Sequence, residues 1–283
     1  VVDVAITTDT GNLALDGDLD NAADTNDNVA IAAGLTLTSA GSITLDATTG
    51  NITGAGALTL NAVGGVTLND SLTTAGATVI DADTDDNGAG TFTLAASKAL
   101  STTANTLSIT ADDIALSGTV NTAGSTTTLL VSDGGTIGLG ATAGNMTISG
   151  AELQNITTTS LVIGDTTSGN ITVDGITAAN SNNISGTVTL NATAAGASLS
   201  FSNTASTFNA VTANADNRIS VNANLTADAG HLRLEGDADN AADGNDDIRF
   251  AAGVTVTAAN TLFLDATTGG MTASAALQDG ELV

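Results

Sequence analysis

Apolar residues fall at alternate positions in short bursts separated by Gly, Ser, Asn and Asp. LTLTSAGSITLD (35–46) and LTLNAVGGVTLN (58–69) show the unit: apolar-x-apolar, a small polar turn, then apolar-x-apolar again. Period-two alternation marks a strand with one buried face. Thr at the alternate positions suits the wet face of such a strand. The two stretches align at a shift of 23, and LSITADDIALSG (107–118) aligns with LLVSDGGTIGLG (129–140) at a shift of 22. No 3.6-residue period is sustained, so essentially no helix is predicted. Strands recurring at about 22 residues predict an all-β chain folded as a parallel β-helix, or β-solenoid, with coils of about 22 residues. Each coil buries its apolar row only by stacking on the next. Leu35, Leu37, Ile43 and Leu45 are predicted to point inward and to stack on Leu58, Leu60, Val66 and Leu68. About thirteen such coils would make a rod of roughly 60 Å.

A longer repeat encloses this one. At a shift of 219, residues 15–53 align with 234–272 without a gap, with 23 identities in 39 positions, including the shared DNAAD and LDATTG. The expected organisation is one continuous solenoid segment over 1–283, with a long unit at 1–219 and the start of a second at 220–283. The chain opens on VVDVAI and closes on GELV, neither of which reads as a cap. An uncapped solenoid end leaves strand-edge groups unpaired, so coils are expected to continue beyond both termini.

Composition narrows the core and the partners. There is no Trp, Tyr, Pro or Cys and only five Phe. A core of Leu, Ile, Val and Ala suits a narrow regular interior. A tandem of β-sandwich modules, the alternative fold, usually needs a bulky aromatic between its sheets. Absence of Pro permits long hydrogen-bonded ladders, and absence of Cys excludes disulfides and thiolate metal sites. Four Lys+Arg stand against thirty Asp+Glu, a formal charge of −26. Nucleic acid, whose phosphates need clustered cations, is excluded as a partner. No basic-apolar leader and no 18-residue apolar run is present, so the chain reads as a mature or excised stretch with no transmembrane segment.

The style of LTLTSAGSITLDATTGNIT and of AGATVIDADTDDNGAGTFTLAA resembles that of bacterial filamentous-haemagglutinin-like exoproteins, large adhesins exported by two-partner secretion. The likeness spans nearly the whole chain through degenerate motifs, and the N-terminal secretion domain of that family is not seen. It implies a right-handed parallel β-helix, an extracellular or cell-surface location, and a role in adhesion, matrix or fibre formation. It carries over no catalytic residue.

The acids are concentrated in three bursts. LDGDLDNAADTNDN (15–28) places carboxylates at positions 1, 3, 5, 9 and 12 counted from the first: Asp16, Asp18, Asp20, Asp24 and Asp27. LEGDADNAADGNDD (234–247) repeats the offsets with Glu235, Asp237, Asp239, Asp243 and Asp246. DADTDDNGAG (81–90) supplies Asp81, Asp83 and Asp85. Calcium takes six to eight oxygens, and a D-x-D-x-D turn can wrap several around one ion, as the EF-hand loop does. The match departs from that loop in three ways. Asn21, Asn240 and Asp86 stand at the sixth position in place of Gly, Asp stands where a bidentate Glu belongs, and Phe92 occupies position 12 of the third burst. Calcium is the one cofactor these loops suggest. The competing reading is a solvated corner that keeps the chain soluble, copied along with the rest of the long repeat.

The remaining candidates carry less. His231, the single histidine, alternates with core-type Leu232 and Leu234 and is expected to face solvent beside Arg233. Lys98, Arg218, Arg233 and Arg249 are scattered and are expected to pair with nearby acids. Parallel β-helices also house polysaccharide-cleaving enzymes, which use two carboxylates across a cleft and usually an aromatic platform for the sugar. Asp112 and Asp113 are adjacent and would point to opposite faces of a strand, so no catalytic residue is assigned. The expected role is a non-catalytic structural segment of a surface adhesin or extracellular fibre. The alternatives are a module that binds glycan or a host protein and, less favoured, a carbohydrate-active enzyme. Self-association, further repeats, and a surface glycan or protein receptor are the expected partners.

Overall fold

The alternating pattern folds as the pleat demands. In strand Leu58–Ala62 the first, third and fifth residues, Leu58, Leu60 and Ala62, are buried and the two between them half-exposed, and the same alternation runs through Ile43–Asp46 and Val66–Leu68. The computed structural model describes residues 1–24 and 27–274 of the chain. Every strand pairing given for them is parallel, and the chain is a parallel β-solenoid that divides into two units.

The first unit comprises residues 1–132 with 155–159. Three parallel ladders run through it. One begins Ile6–Thr8, Leu35–Ser39, Leu58–Ala62 and Thr78–Asp81. A second begins Leu13–Asp16, Ile43–Asp46, Val66–Leu68 and Thr91–Leu94. The third begins Val29–Ile31, Ile52–Gly54, Leu72–Thr74 and Ala99–Ser101. The second unit, residues 133–154 with 160 onward, is built in the same way. Its ladders include Ala210–Ala215, Leu232–Glu235 and Leu262–Asp265; Arg218–Val221, Asp247–Phe250 and Gly270–Ala273; and Leu225–Ala227 with Val256–Ala258.

The register agrees with the shift of 23. Leu35, Leu37, Ile43 and Leu45 pair with Leu58, Leu60, Val66 and Leu68. All are buried except Leu35, which is half-exposed. Thr stacks on Thr along the outer face, as in Thr44–Thr67–Thr93. The alignment of 107–118 with 129–140 does not hold: Leu107 pairs with Thr127 and Ile109 with Leu129. The register is 20 residues there, not 22, and the slip of two preserves which side chains face inward. Coil length is not constant. Along one ladder it is 31 residues from Ile6 to Leu37, 23 from Leu35 to Leu58, 20 from Leu58 to Thr78 and 29 from Thr78 to Leu107. The 31-residue and 29-residue coils are the two that carry an acidic burst, so the extra residues leave the ladder as corner loops.

Two short helices, Gly150–Gln154 and Ala178–Ser181, depart from the expectation of essentially no helix. Each is set by its cap rather than by hydrophobic period. Ser149 and Glu152 form a reciprocal pair, with the Ser149 amide and hydroxyl donating to the Glu152 carboxylate and the Glu152 amide donating to Ser149 Oγ. At the second helix the Thr177 amide and hydroxyl donate to Asn180 Oδ1, and the Asn180 amide donates to the Thr177 carbonyl. Asp112 lies in the corner between strands Leu107–Ala111 and Asp113–Leu116, so Asp112 and Asp113 do not share a strand. Among the described residues no helix is long and apolar enough to cross a membrane. The closing residues GELV (280–283) lie outside the described residues.

Candidate functional site

The three acidic bursts all sit in corner loops and share one local geometry. The position-1 carboxylate accepts the amide of position 3: Asp16 Oδ1 from Asp18 at 2.9 Å, and Asp81 Oδ1 from Asp83 at 3.2 Å. The amide of position 6 then donates back to the carbonyl of position 3, Asn21 to Asp18 at 3.1 Å, Asp86 to Asp83 at 3.0 Å and Asn240 to Asp237 at 3.2 Å. Closing that turn drives position 6 into the left-handed region, with φ of 55° at Asn21, 50° at Asp86 and 57° at Asn240. Asn and Asp tolerate this conformation better than other non-glycine residues. Asn and Asp thus take the conformation that Gly supplies at that place in an EF-hand loop.

The position-3 aspartate is the buried member in every burst: Asp18, Asp83 and Asp237 are 3%, 0% and 0% exposed. The position-5 residues Asp20, Asp85 and Asp239, and the position-9 residues Asp24 and Asp243, are exposed. Asp16 is exposed and Asp81 half-buried, whereas Glu235 is buried. Asp27 and Asp246, at position 12, are buried again. The third burst has no such carboxylate, and its position 12, Phe92, is a fully buried core residue.

In the two duplicated loops, positions 3 and 12 meet at a threonine of the adjacent coil. Thr49 donates its amide to Asp18 Oδ2 at 2.9 Å, and its hydroxyl lies 2.6 Å from Asp18 Oδ2 and 3.1 Å from Asp27 Oδ2. Thr268, exactly one long repeat further on, donates its amide to Asp237 Oδ2 at 2.5 Å, and its hydroxyl lies 3.2 Å from Asp246 Oδ2 and 3.4 Å from the carbonyl of Ala241, position 7. Gly50 and Gly269 make this fit possible. A Cβ on either would overlap the backbone carbonyl oxygen of Asp27 or Asp246. The ladder also stacks the position-1 acid on another acid, Asp16 on Asp46 and Glu235 on Asp265. In the third loop Asp83 Oδ2 accepts instead from Ser132 Oγ at 2.6 Å and from the Gly88 amide at 3.1 Å.

The electrostatics follow from this crowding. The Thr49 hydroxyl holds the Asp18 carboxyl below the usual aspartate range, against the opposing effect of burial. Burial pushes Glu235 upward, and the charge of Asp265 adds to it, while Arg233 works against both. Asp243 is raised by desolvation and by the charges of Asp239, Asp216, Asp246 and Asp237. Burial, with the charges of Asp86 and Asp83, raises Asp81. One oxygen of each of Asp18, Asp83, Glu235, Asp237 and Asp246 is buried without a hydrogen-bond partner. Among the described residues, no three acidic or histidine side chains close on one point tightly enough to hold a metal ion by themselves.

Sequence reasoning placed the burst residues in their loops but missed the second layer: Thr49, Thr268, Asp46, Asp265, Ser132 and, beside Asp243, Asp216. The signal for four of these was present, since LDATTG is the other conserved block of the long repeat and lies one coil away. The remaining charged residues fall as expected. His231 is exposed, with Leu232 and Leu234 buried on either side of Arg233. Lys98 pairs with Asp70 at 2.8 Å, Arg233 with Glu235 at 2.7 Å, and Asp247 bridges Arg218 at 2.5 Å and Arg249 at 2.7 Å. No family model, no curated protein and no solved structure matches the chain.

Proposed function

We propose that the chain is a non-catalytic structural segment of a bacterial surface adhesin or extracellular fibre of the filamentous-haemagglutinin type. The observation that carries this reading is the parallel stacking of coil on coil along three ladders in each unit. The side chains pair level with level, aliphatic inside and Thr, Ser or Asn outside. Such a design extends by repetition and presents a uniform polar exterior. The acids support the same reading. They are tied into corner turns by local amides and threonine hydroxyls rather than held facing one another across an open cleft. Further coils of the same repeat, and a glycan or protein at the surface of another cell, are the partners this role requires.

Antibodies raised against the purified segment test the proposal. They are expected to label intact, unpermeabilised cells of the source organism and to decorate filaments or surface material in electron micrographs. Labelling that appears only after permeabilisation would overturn the reading. So would release of reducing ends from a polysaccharide panel by the purified chain.

A further inference from the structure

In each duplicated loop one threonine faces two carboxylates. Thr49 Oγ1 approaches Asp18 Oδ2 at 2.6 Å and Asp27 Oδ2 at 3.1 Å, so those two oxygens are no further apart than the two distances laid end to end. The hydroxyl has one proton for the two, and backbone amides serve them as well, Thr49 to Asp18 Oδ2 at 2.9 Å and Asp24 to Asp27 Oδ2 at 2.7 Å, so the shortage of donors falls on the opposite oxygens. At the second copy the Thr268 hydroxyl lies against Asp246 Oδ2 and the Ala241 carbonyl, while its amide serves Asp237. The opposite oxygens, Oδ1 of Asp18, Asp237 and Asp246, are buried with no donor at all. These residues are 3%, 0% and 4% exposed. Burying a carboxylate oxygen without a partner is costly, and buried charges are ordinarily paired or coordinate a metal. The nearby basic residues do not serve these oxygens, since Arg233 pairs with Glu235, and Arg218 and Arg249 with Asp247.

We propose that the loops at 16–27 and 235–246 are divalent-cation sites for calcium, each completed by the 46–50 or 265–269 corner of the adjacent coil. The oxygens that converge on the threonine come from positions 3 and 12 in both copies, and from the position-7 carbonyl in the second. Those are ligand positions of a calcium loop, and the position-6 residue has the backbone conformation such a loop requires. Carboxylates alone do not complete the shell, so carbonyl, hydroxyl and water oxygens supply the rest, as calcium accepts. Asp46 and Asp265, stacked on the position-1 acids, add charge from the second coil. A cation held in this way fastens two successive coils together. The third loop lacks the position-12 carboxylate and already spends Asp83 Oδ2 on Ser132 and Gly88, so it is not assigned a site. The assignment is independent of where the chain resides.

Calcium titration of the metal-stripped full chain by calorimetry tests this, with magnesium as the control ion. Two sites per chain are expected, with dissociation constants of about 10⁻⁴–10⁻³ M, the range of extracellular modules. The pair Asp237→Asn with Asp246→Asn is expected to remove one site, and Asp18→Asn with Asp27→Asn the other, with circular dichroism unchanged. Asp46→Asn with Asp265→Asn should weaken both sites about tenfold. Hydrogen exchange should slow on calcium addition in both the burst and the 46–50 or 265–269 corner. No binding up to about 10⁻² M calcium would overturn the proposal. So would Asn variants that melt higher with calcium having no effect on the parent, which is the behaviour of a carboxyl pair sharing a proton. Protection confined to the bursts, with unchanged affinity in the Asp46/Asp265 variant, would overturn the two-coil assignment.

Discussion

Residues 15–53 and 234–272 share 23 of 39 positions and fold their acidic bursts into the same local turns, yet they are enclosed differently. The opening strand lies deeper in the second copy, whereas Leu37, Ile43 and Leu45 of the first are buried and their counterparts Val256, Leu262 and Leu264 only half-buried. Strand Leu13–Asp16 ends its ladder, and among the described residues its one partner strand is Ile43–Asp46. Its counterpart Leu232–Glu235 lies between Ala210–Ala215 and Leu262–Asp265. Position 1 is accordingly exposed at Asp16 and buried at Glu235. The second copy also carries charges the first lacks. Arg233, Asp247 and Arg249 stand where the first copy has Ala14, Asn28 and Ala30. What surrounds a repeat, more than its own sequence, decides how costly its acids are. In the second copy the buried acids Glu235 and Asp247 are paired, with Arg233 and with Arg218 and Arg249.

The comparison breaks most readily in the core. Leu234 is fully buried and paired on both sides, whereas its counterpart Leu15 is half-exposed and pairs with Leu45 alone. Leu234→Ala is expected to cost about 2–5 kcal/mol, and Leu15→Ala about 1 kcal/mol, in urea unfolding. Equal costs would mean that the two copies are equally enclosed. Next in size is the carboxylate that the second copy gained. Asp247→Asn restores the first copy's residue but strands Arg218 and Arg249, and it is expected to destabilise by about 1–3 kcal/mol. The reverse change, Asn28→Asp, is expected to stay within about 0.5 kcal/mol, because Asn28 is exposed and its role of accepting the Asn51 amide survives.

An aspartate outside both copies gives a reference for acid sensitivity. The Asn203 side chain, ahead of the Thr204 amide, holds Asp174 below its ordinary range. A depressed folded-state value contributes stability above the unfolded value and loses it as pH falls through the folded one. Asn203→Ala should therefore lower the neutral plateau of the urea midpoint and make the acid limb shallower, because less stability remains to be lost as Asp174 is protonated. An acid limb of unchanged amplitude would show that the hydrogen bond does not govern it. The smallest effect is expected at the outer face. His231 and Phe263 meet in a tilted arrangement with centroids 5.7 Å apart where the first copy has Asn12 and Thr44. His231→Asn should cost about 0.5 kcal/mol or less by thermal melting, since the pair is exposed.

Much of this was legible in the residues. Alternation and the shift of 23 gave the strands and the stacking of Leu58 on Leu35, because a parallel coil places equivalent residues level by construction. The shift of 22 proposed for 107–118 failed for the same reason it was attractive. A pleat reads the same after a slip of two, so similarity alone could not separate 20 from 22. The helices at 150 and 178 were invisible to periodicity, since each is one turn fixed by a cap. At the acidic corners the D-x-D-x-D spacing showed the turn but not its lid. Which corner lies above a burst depends on coil length, and coil length varies most where the bursts are.

Each strand finds its partners roughly one coil away along the chain, at separations of 20 to 31 residues in the first unit's opening ladder. No contact in that ladder has to wait for a distant segment to be made. The order of folding is therefore set by the order in which coils become free to settle, each on the template of the last. Growth can begin at any well-made coil and spread outward by neighbour-to-neighbour steps. Relative to chain length the contact order is low for a β protein, and the slow search that burdens sandwiches and barrels is avoided. A chain built in this way can be delivered one end first and still arrive folded.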